Sequence, residues 1–214
     1  MKKKILVGIT QRSDKIKSHS EWRDSLDHRL FQWVAEAGFL PVPIPNTLFD
    51  LNYEKDNQRL LKDWIDSIRL DALVLSGGGD IGGFPQRDLT ENYLLSWAEK
   101  NRLPVLGICR GMQLMGLYFG AKLIKVKHHV GTRHNLVYKE NSKFLPMTVN
   151  SYHNFAIENC PTDFKAIAYS EDGSLEAMVH NELPWEAWMW HPERENVFIN
   201  SNLEKFKMLI KNAK

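Results

Sequence analysis

Residues 103–120, LPVLGICRGMQLMGLYFG, decide the reading of this chain. Val105-Leu106-Gly107-Ile108 is a short apolar run of buried-strand type. It leads into Cys109, after which Gln113, Leu114, Leu117 and Tyr118 recur at helical spacing. Gly107 and Gly111 stand two residues before and two after the cysteine. The result is Gly-x-Cys-x-Gly at a strand-to-helix junction, the thiol counterpart of the serine nucleophile elbow. Flanking residues without a Cβ let a sharp turn close while the nucleophile's side chain stands clear. A cysteine at a helix N-terminus also meets the positive end of the helix dipole, which favours thiolate. A lone buried cysteine is otherwise a small hydrophobe, and the surrounding pattern is what favours the nucleophile.

Outward from the elbow, the N-terminal half alternates strand and helix. Residues 4–10 read as a first buried strand, and the polar stretch 11–24 reads as a surface loop. Leu26, Leu30, Trp33, Val34 and Ala37 mark one helix face, with Gly38 as its stop. Phe39 to Ile44, interrupted by Pro41 and Pro43, is an edge or short strand. Leu60, Leu61, Trp64, Ile65 and Ile68 mark a second helix, and residues 71–75 a buried strand that ends in Ser76-Gly77-Gly78-Gly79-Asp80. A third helix covers 88–100. Alternation of this kind implies a mostly parallel, flavodoxin-like α/β sheet in three layers, with helices on both faces. The second half adds an antiparallel β portion. Residues 121–150 hold short apolar runs broken by Lys, His and Gly; residues 164–170 and 175–179 form a hairpin with Asp172-Gly173 at its turn. Trp185 to Trp190 is a further strand, and 202–213 a closing helix.

The chain has 214 residues, 43% of them apolar, and a formal net charge of +2. That supports one domain spanning 1–214 with a full core. The mixed charges give no nucleic-acid surface, and no stretch reaches membrane-spanning length. Lys2-Lys3-Lys4 precedes too short an apolar run for a signal peptide. Reduced thiols and a cytoplasmic location are therefore expected for Cys109 and Cys160, with Cys160 inert.

A thiol nucleophile needs a base, an orienting group and oxyanion donors. His191 and Glu193 lie two apart at the end of a strand, where i and i+2 share a side. Glu193 is then placed to hold one imidazole nitrogen while the other faces Cys109. Alone, His-Pro-Glu is also what a surface histidine after a strand looks like. The glycine loop ends a buried strand at the same sheet edge as Cys109, where open α/β sheets bind ligands. The N–H groups of Gly78 and Arg110 form the candidate oxyanion pair. A phosphate-cradling role is disfavoured, since no Gly-Lys-Ser/Thr follows. Gln113, one helical turn past Cys109, is either a contact for a substrate's polar head or solvent-facing polarity. His128, His129, His134 and His153 lack cysteine partners at zinc spacing, and His-Glu-x-x-His is missing, so neither a metal site nor a cofactor is expected.

LVLSGGGD, PVLGICRGMQ, VNSYH, EDGSLEAM and WHPE, in this order, resemble the class I glutamine amidotransferase superfamily, and within it the γ-glutamyl hydrolase branch. The resemblance spans nearly the whole chain. It implies a Cys109–His191–Glu193 triad, an oxyanion hole at Gly78 and Arg110, and glutamyl contacts from Gln113, Ser151 and Tyr152, the last two largely through backbone. It also implies a structural or rim role for the side chains of Arg110 and Asp88. The chain departs from the larger hydrolases at Gly116 and at Phe119-Gly120-Ala121-Lys122-Leu123, and it is shorter than they are, so γ-aminobutyrate is not the implied leaving group. The short form resembles hydrolases that release an amine or amidate, including a nucleotide amidate such as γ-glutamyl-CDP-amidate. The alternative is a glutaminase subunit that delivers ammonia to a synthetase partner; a binding module that kept the fold is a third reading. Partners are a small γ-glutamyl substrate and either a synthetase or further copies of the chain. Specificity is expected in the 11–24, 80–87 and 125–135 segments, where Arg12, Lys127, His129 and Arg133 either meet an anionic leaving group or are solvated surface.

Overall fold

The computed structural model describes residues 4–18, 20–49, 58–138 and 145–212. In chain order the elements are β1 Leu6–Thr10, β2 Arg12–Ile16, β3 Glu21–Ser25, α1 His28–Glu36, β4 Leu40–Ile44, α2 Arg59–Ile68, β5 Ala72–Leu75, α3 Pro85–Lys100, β6 Val105–Ile108 and α4 Arg110–Tyr118. The second half adds β7 Leu123–Lys125, β8 Val130–Asn135, β9 Val137–Tyr138, β10 Thr148–Tyr152, β11 Phe155–Ile157, β12 Phe164–Tyr169, β13 Leu175–His180, β14 Trp185–Trp188 and α5 Asn200–Lys211.

Eight strands form one sheet in the order β4-β1-β5-β6-β14-β13-β12-β9. The first five pair in parallel and the last three are antiparallel. The α/β class with a parallel core and an antiparallel extension is therefore as the sequence pattern implies. The alternation of side chains along each strand sorts the core into two layers. Val7, Ile9, Ala72, Val74, Leu106 and Ile108 face α1 and α5, where Trp33 stacks on Phe206 with ring centroids 4.7 Å apart. Leu73, Leu75 and Val105 face α2, α3 and α4, against Leu61, Ile65, Leu94, Leu95, Met112 and Met115. Asp27 caps α1 by accepting from the Arg29 N–H at 2.9 Å, and Gly38, at φ +88°, ends that helix turn.

The expectation for the 11–24 stretch fails. That stretch is not a loop but the antiparallel hairpin β2–β3, in register from Arg12↔Ser25 to Ile16↔Glu21. Both its faces are polar or exposed, so it has no apolar alternation to reveal it. Polar contacts hold it down instead. Ser13 donates to Asp24 at 2.8 Å, and buried Asn46 donates to the same carboxylate at 2.8 Å. The third helix also starts earlier than expected, with Pro85 in its first turn. The expected closing helix begins at Asn200 and runs to Lys211; position 213 lies outside the described residues.

The consequence for function is positional. β5, β6 and β14 are adjacent and parallel, so their C-terminal ends lie at one edge. Those ends lead into Ser76-Gly77-Gly78, into Cys109, and toward His191.

Candidate active site

Cys109 joins β6 to α4 with φ 50° and ψ −102°, a conformation that is costly for a residue with a side chain. Two hydrogen bonds hold it there. Its N–H donates to the Trp188 carbonyl at 2.7 Å, and its carbonyl accepts from the Gln113 N–H at 3.0 Å. The strain therefore falls on Cys109 itself, not on its glycine neighbours. Those glycines serve packing. A Cβ on Gly111 would be driven into the Leu75 carbonyl and lie 2.7 Å from the Leu75 Cβ; one on Gly107 would lie 2.8 Å from the Gly111 carbonyl carbon. The first turn of α4 rests directly on β5 and β6 because neither glycine carries a side chain. Gly116, further along, faces β11: its Cβ would stand 2.7 Å from Ile157 Cδ1, so a larger residue there would have to move that side chain.

His191 is 1% exposed, and its Nδ1 lies 2.7 Å from Glu193 Oε1. The pairing expected from the i, i+2 spacing is present, by a different route. His191 is extended, but Pro192 starts a short 3-10 turn over Pro192–Arg194, and that turn swings Glu193 back toward the ring. With Nδ1 taken by Glu193, Nε2 is left for the Cys109 side chain. Burial pulls the imidazole pKa down, but the charges of Glu193 and Cys109, and hydrogen bonds to both, outweigh it and push it up to about 9. The imidazolium form is thus favoured between Glu193 and Cys109.

Two residues for which the sequence implied no role fix this pair. The Asn150 amide donates to the His191 carbonyl at 2.8 Å and accepts from the His191 N–H at 3.0 Å, clamping its backbone from both sides. Arg29, on α1, donates from Nε to the Glu193 carbonyl at 2.8 Å. Neither contact has a local signal, since each joins segments far apart in the chain.

The loop after β5 is strapped by buried Arg87. Its guanidinium donates to the carbonyls of Ser76 (2.8 Å), Gly77 (3.3 Å) and Gly78. In a planar trans peptide the carbonyl and the following N–H point opposite ways. Turning the Gly77 carbonyl to Arg87 therefore turns the Gly78 N–H away from it. Gly78 is at φ +87°, which glycine adopts without penalty. The Arg110 N–H lies in the first turn of α4, where amides have no intrahelical partner. The Arg110 side chain points the other way, into a buried network with Glu91 and Asp88. Burial alone would raise the Glu91 carboxyl, but Arg87 and Arg110 hold it below the usual range. The side chain of Arg110 thus pairs with those of Asp88 and Glu91.

Gln113 is buried on α4, and its Nε2 donates to the Phe155 carbonyl at 2.8 Å. It is not solvent-facing polarity. The Ser151 hydroxyl donates to the His129 carbonyl at 2.6 Å, so its proton is engaged within the protein. A bulge between Ser151 and Tyr152 breaks the β10–β8 ladder at that point. The Tyr152 ring stands edge-on to His191 at 5.8 Å, under the Arg194 guanidinium at 4.7 Å. A cavity of about 150 Å³ is lined by Arg12, Gly77, Gly78, His191 and Glu193 among others. A groove of about 480 Å³ lies beyond Tyr152, beside Arg133 and Arg194. A larger one, about 640 Å³, lies at the opposite end of the sheet beside Arg102, Glu186 and Lys205, remote from Cys109. Of the expected rim residues, Arg12 and Arg133 line the first two spaces, each paired with a carboxylate: Arg12 with Asp14 and Arg133 with Glu195, both at 3.0 Å. Lys127 is exposed. His129 is not on the rim: it is 4% exposed, within a group of other histidines.

A profile described as "Glutamine amidotransferase class-I" matches residues 23–204. The chain belongs to the class I glutamine amidotransferase family. Among curated relatives it is 31% identical to a γ-glutamyl-CDP-amidate hydrolase of Campylobacter jejuni, over 94% of this chain and 96% of that one. It is 37% identical to a glutamine-hydrolyzing GMP synthase subunit of Thermoplasma acidophilum, over 59% of this chain and 65% of the relative. A solved structure from Thermoplasma acidophilum, a candidate GMP synthase subunit, superposes with TM-score 0.74 at 24% identity, covering 99% and 96% of the two chains. A glutamine amidotransferase of Thermotoga maritima gives 0.62 at 16% identity, covering 98% and 90%. No helix among the described residues is long and apolar enough to cross a membrane.

Proposed function

We propose that the chain hydrolyses the γ-glutamyl amide bond of a small conjugate and releases glutamate, with Cys109, His191 and Glu193 as catalytic triad. The observation that carries this is the strained Cys109 elbow beside a buried imidazole tied to Glu193 at 2.7 Å. The Cys109 sulfur attacks the γ-carbonyl carbon and the C=O π pair moves to oxygen. The N–H groups of Gly78 and Arg110 receive that oxyanion, an effect of about 3 kcal/mol per donor. The His191 imidazolium gives its proton to the leaving nitrogen, the C–N bond breaks and a thioester remains. Water then attacks the thioester, His191 takes its proton, and the thiolate leaves. Glu193 holds Nδ1 throughout and stabilises the charged ring. With Nε2 of Gln113 engaged by Phe155, its Oε1 is the atom left to accept from the substrate's α-ammonium. The peptide groups of Ser151 and Tyr152, at the β10–β8 bulge, are assigned to the α-carboxylate.

For the leaving group the reading is a nucleotide amidate such as that of γ-glutamyl-CDP-amidate. Its support is the end-to-end similarity to the Campylobacter hydrolase together with arginines at two spaces beside the triad, Arg12 in one and Arg133 and Arg194 in the other. The second reading, a glutaminase subunit that passes ammonia to a synthetase, is favoured by the 37% identity to the Thermoplasma GMP synthase subunit. Steady-state glutamate release from the purified chain, on glutamine and on a panel from γ-glutamyl-γ-aminobutyrate to nucleotide amidates, separates them. Fast release from a nucleotide amidate with slow turnover of glutamine is the expected result. Release from glutamine alone, rising only when a synthetase is added, would overturn it in favour of the glutaminase.

A further inference from the structure

Three histidines that have no role in the chemistry above converge with one glutamate. His129 stands just before β8, His134 on β8, His153 between β10 and β11, and Glu176 on β13. One nitrogen or oxygen from each lies within 4.8 Å of all the others. His129 Nδ1 is 3.1 Å from His153 Nε2, and Glu176 Oε1 is 3.1 Å from His134 Nε2, 3.6 Å from His153 Nε2 and 3.9 Å from His129 Nδ1. Four ligands about 2.0–2.1 Å from a tetrahedral zinc ion sit about 3.4 Å from one another. The observed separations bracket that edge.

Sequence spacing hides this group. Residues five apart on a regular strand point to opposite faces. In β8 the register passes from Val130↔Tyr152 to Thr132↔Ser151, which leaves Gly131 as an extra residue. Gly131 is at φ +70°. The bulge turns His129 and His134 to the same side.

The hydrogen bonds on the outer nitrogens decide what the inner ones offer. His153 Nδ1 faces the Phe155 carbonyl at 3.0 Å, an acceptor only, so Nδ1 is the N–H. His129 Nε2 faces an Asp172 carboxylate oxygen at 2.9 Å, so it too carries hydrogen. Asp172 is itself held by Ser170 Oγ at 2.6 Å and Ser174 N–H at 3.0 Å. In the neutral rings the inner atoms, His129 Nδ1 and His153 Nε2, are then two bare lone pairs facing each other at 3.1 Å. That arrangement is repulsive without a cation between them. His134 Nε2 and both Glu176 carboxylate oxygens are buried with no well-formed hydrogen bond among the described residues. A carboxylate or carbonyl behind an inward-facing ring, as at His129 and His153, is also the outer shell that metal-bound histidines carry.

We propose that His129, His134, His153 and Glu176 bind one divalent transition-metal ion of the zinc class, as a closed structural site. All four positions are protein ligands, which leaves no open place for substrate and sets this site apart from Cys109. The ion would join β8, the β10–β11 turn and β13. Ser151, whose hydroxyl bonds the His129 carbonyl, would be anchored by it.

The test uses the full chain with Cys109→Ala and no histidine tag, so that neither the thiolate nor a tag competes for metal. After incubation with zinc sulfate and gel filtration, elemental analysis should find one zinc per chain. Cobalt should give the visible bands of a tetrahedral site without thiolate charge transfer. Free zinc at a hundredfold excess over its dissociation constant should raise the melting temperature of chelator-treated protein by about 5–10 °C. His153→Ala and Glu176→Gln should each lose the ion. Metal content far below one per chain, with no cobalt spectrum and no thermal shift in the Cys109→Ala protein itself, would overturn the site and leave a network held by a proton. None of these readouts depends on the proposed hydrolysis.

Discussion

Gly77 stands where β5 ends, and it has space for hydrogen only. A Cβ built there falls well inside 3.0 Å of His191 Cε1 and lies 3.2 and 3.3 Å from the two ring nitrogens. Ordinary carbon–carbon contact begins at about 3.5 Å, so Gly77→Ala forces the ring to withdraw by about 1 Å. The ring has no easy retreat. Asn150 clamps its backbone, and Glu193 holds Nδ1 at 2.7 Å. A shift of about 1 Å either stretches that bond beyond hydrogen-bonding range or moves Nε2 away from Cys109. Misplacing a catalytic group by this much costs about 10²-fold in rate, or ~2.7 kcal/mol of transition-state stabilisation. The fold itself should lose only about 1–3 kcal/mol from overpacking. Alkylation of Cys109 by iodoacetamide at neutral pH reads the thiol–imidazole contact without any substrate, and glutamate release reads turnover. Both should drop in Gly77→Ala while the melting curve stays cooperative. Alkylation within about twofold of wild type would refute the claim that Gly77 sets the position of His191.

Cys109→Ala should lower glutamate release by ~10⁴-fold or more while glutamyl compounds still bind, as calorimetry of the inactive protein would show. Retained turnover would remove Cys109 from the chemistry. The His191 imidazolium, raised to about 9, should keep kcat/KM high up to that pH and let it fall above, because the leaving nitrogen then lacks its donor. The same group contributes to stability below its ordinary value near 6.5, and that contribution is lost as pH rises through about 9. Glu193→Gln should move the alkaline limb to lower pH, which a pH–rate profile of the two proteins would reveal. Glu91→Gln leaves Arg87 and Arg110 buried with half their counter-charge, at a cost of about 3–5 kcal/mol, so calorimetry should record a fall of about 6–20 °C in melting temperature.

The parts of this molecule that sequence makes legible are those in which a period meets a chemical requirement. The run Val105–Ile108 followed by the helical spacing of α4 shows the elbow because burial on both sheet faces and on one helix stripe leaves a pattern in the residues themselves. His191 and Glu193 are legible for a local reason, although the turn begun by Pro192, and not strand alternation, brings them together. The hairpin β2–β3 escapes because its two faces are alike, held by Ser13, Asp24 and Asn46 and not by an apolar stripe. Asn150 and Arg29 escape because their work is done on backbone atoms 41 and 164 residues away, and a hydrogen bond to a carbonyl makes no demand on the identity of the residue that owns it. The histidine cluster escapes for the sharpest reason. His129, just before β8, and His134, on it, are spaced for opposite faces, and a single bulge at Gly131 reverses that. The same bulge falls between Ser151 and Tyr152, whose peptide groups the proposed reaction uses. One extra residue in β8 therefore lies beside both places, and deleting Gly131 should disturb the histidine cluster and the proposed glutamyl pocket together. If the two responded separately, metal uptake lost with the KM for glutamyl substrate unchanged, the bulge would belong to the cluster alone.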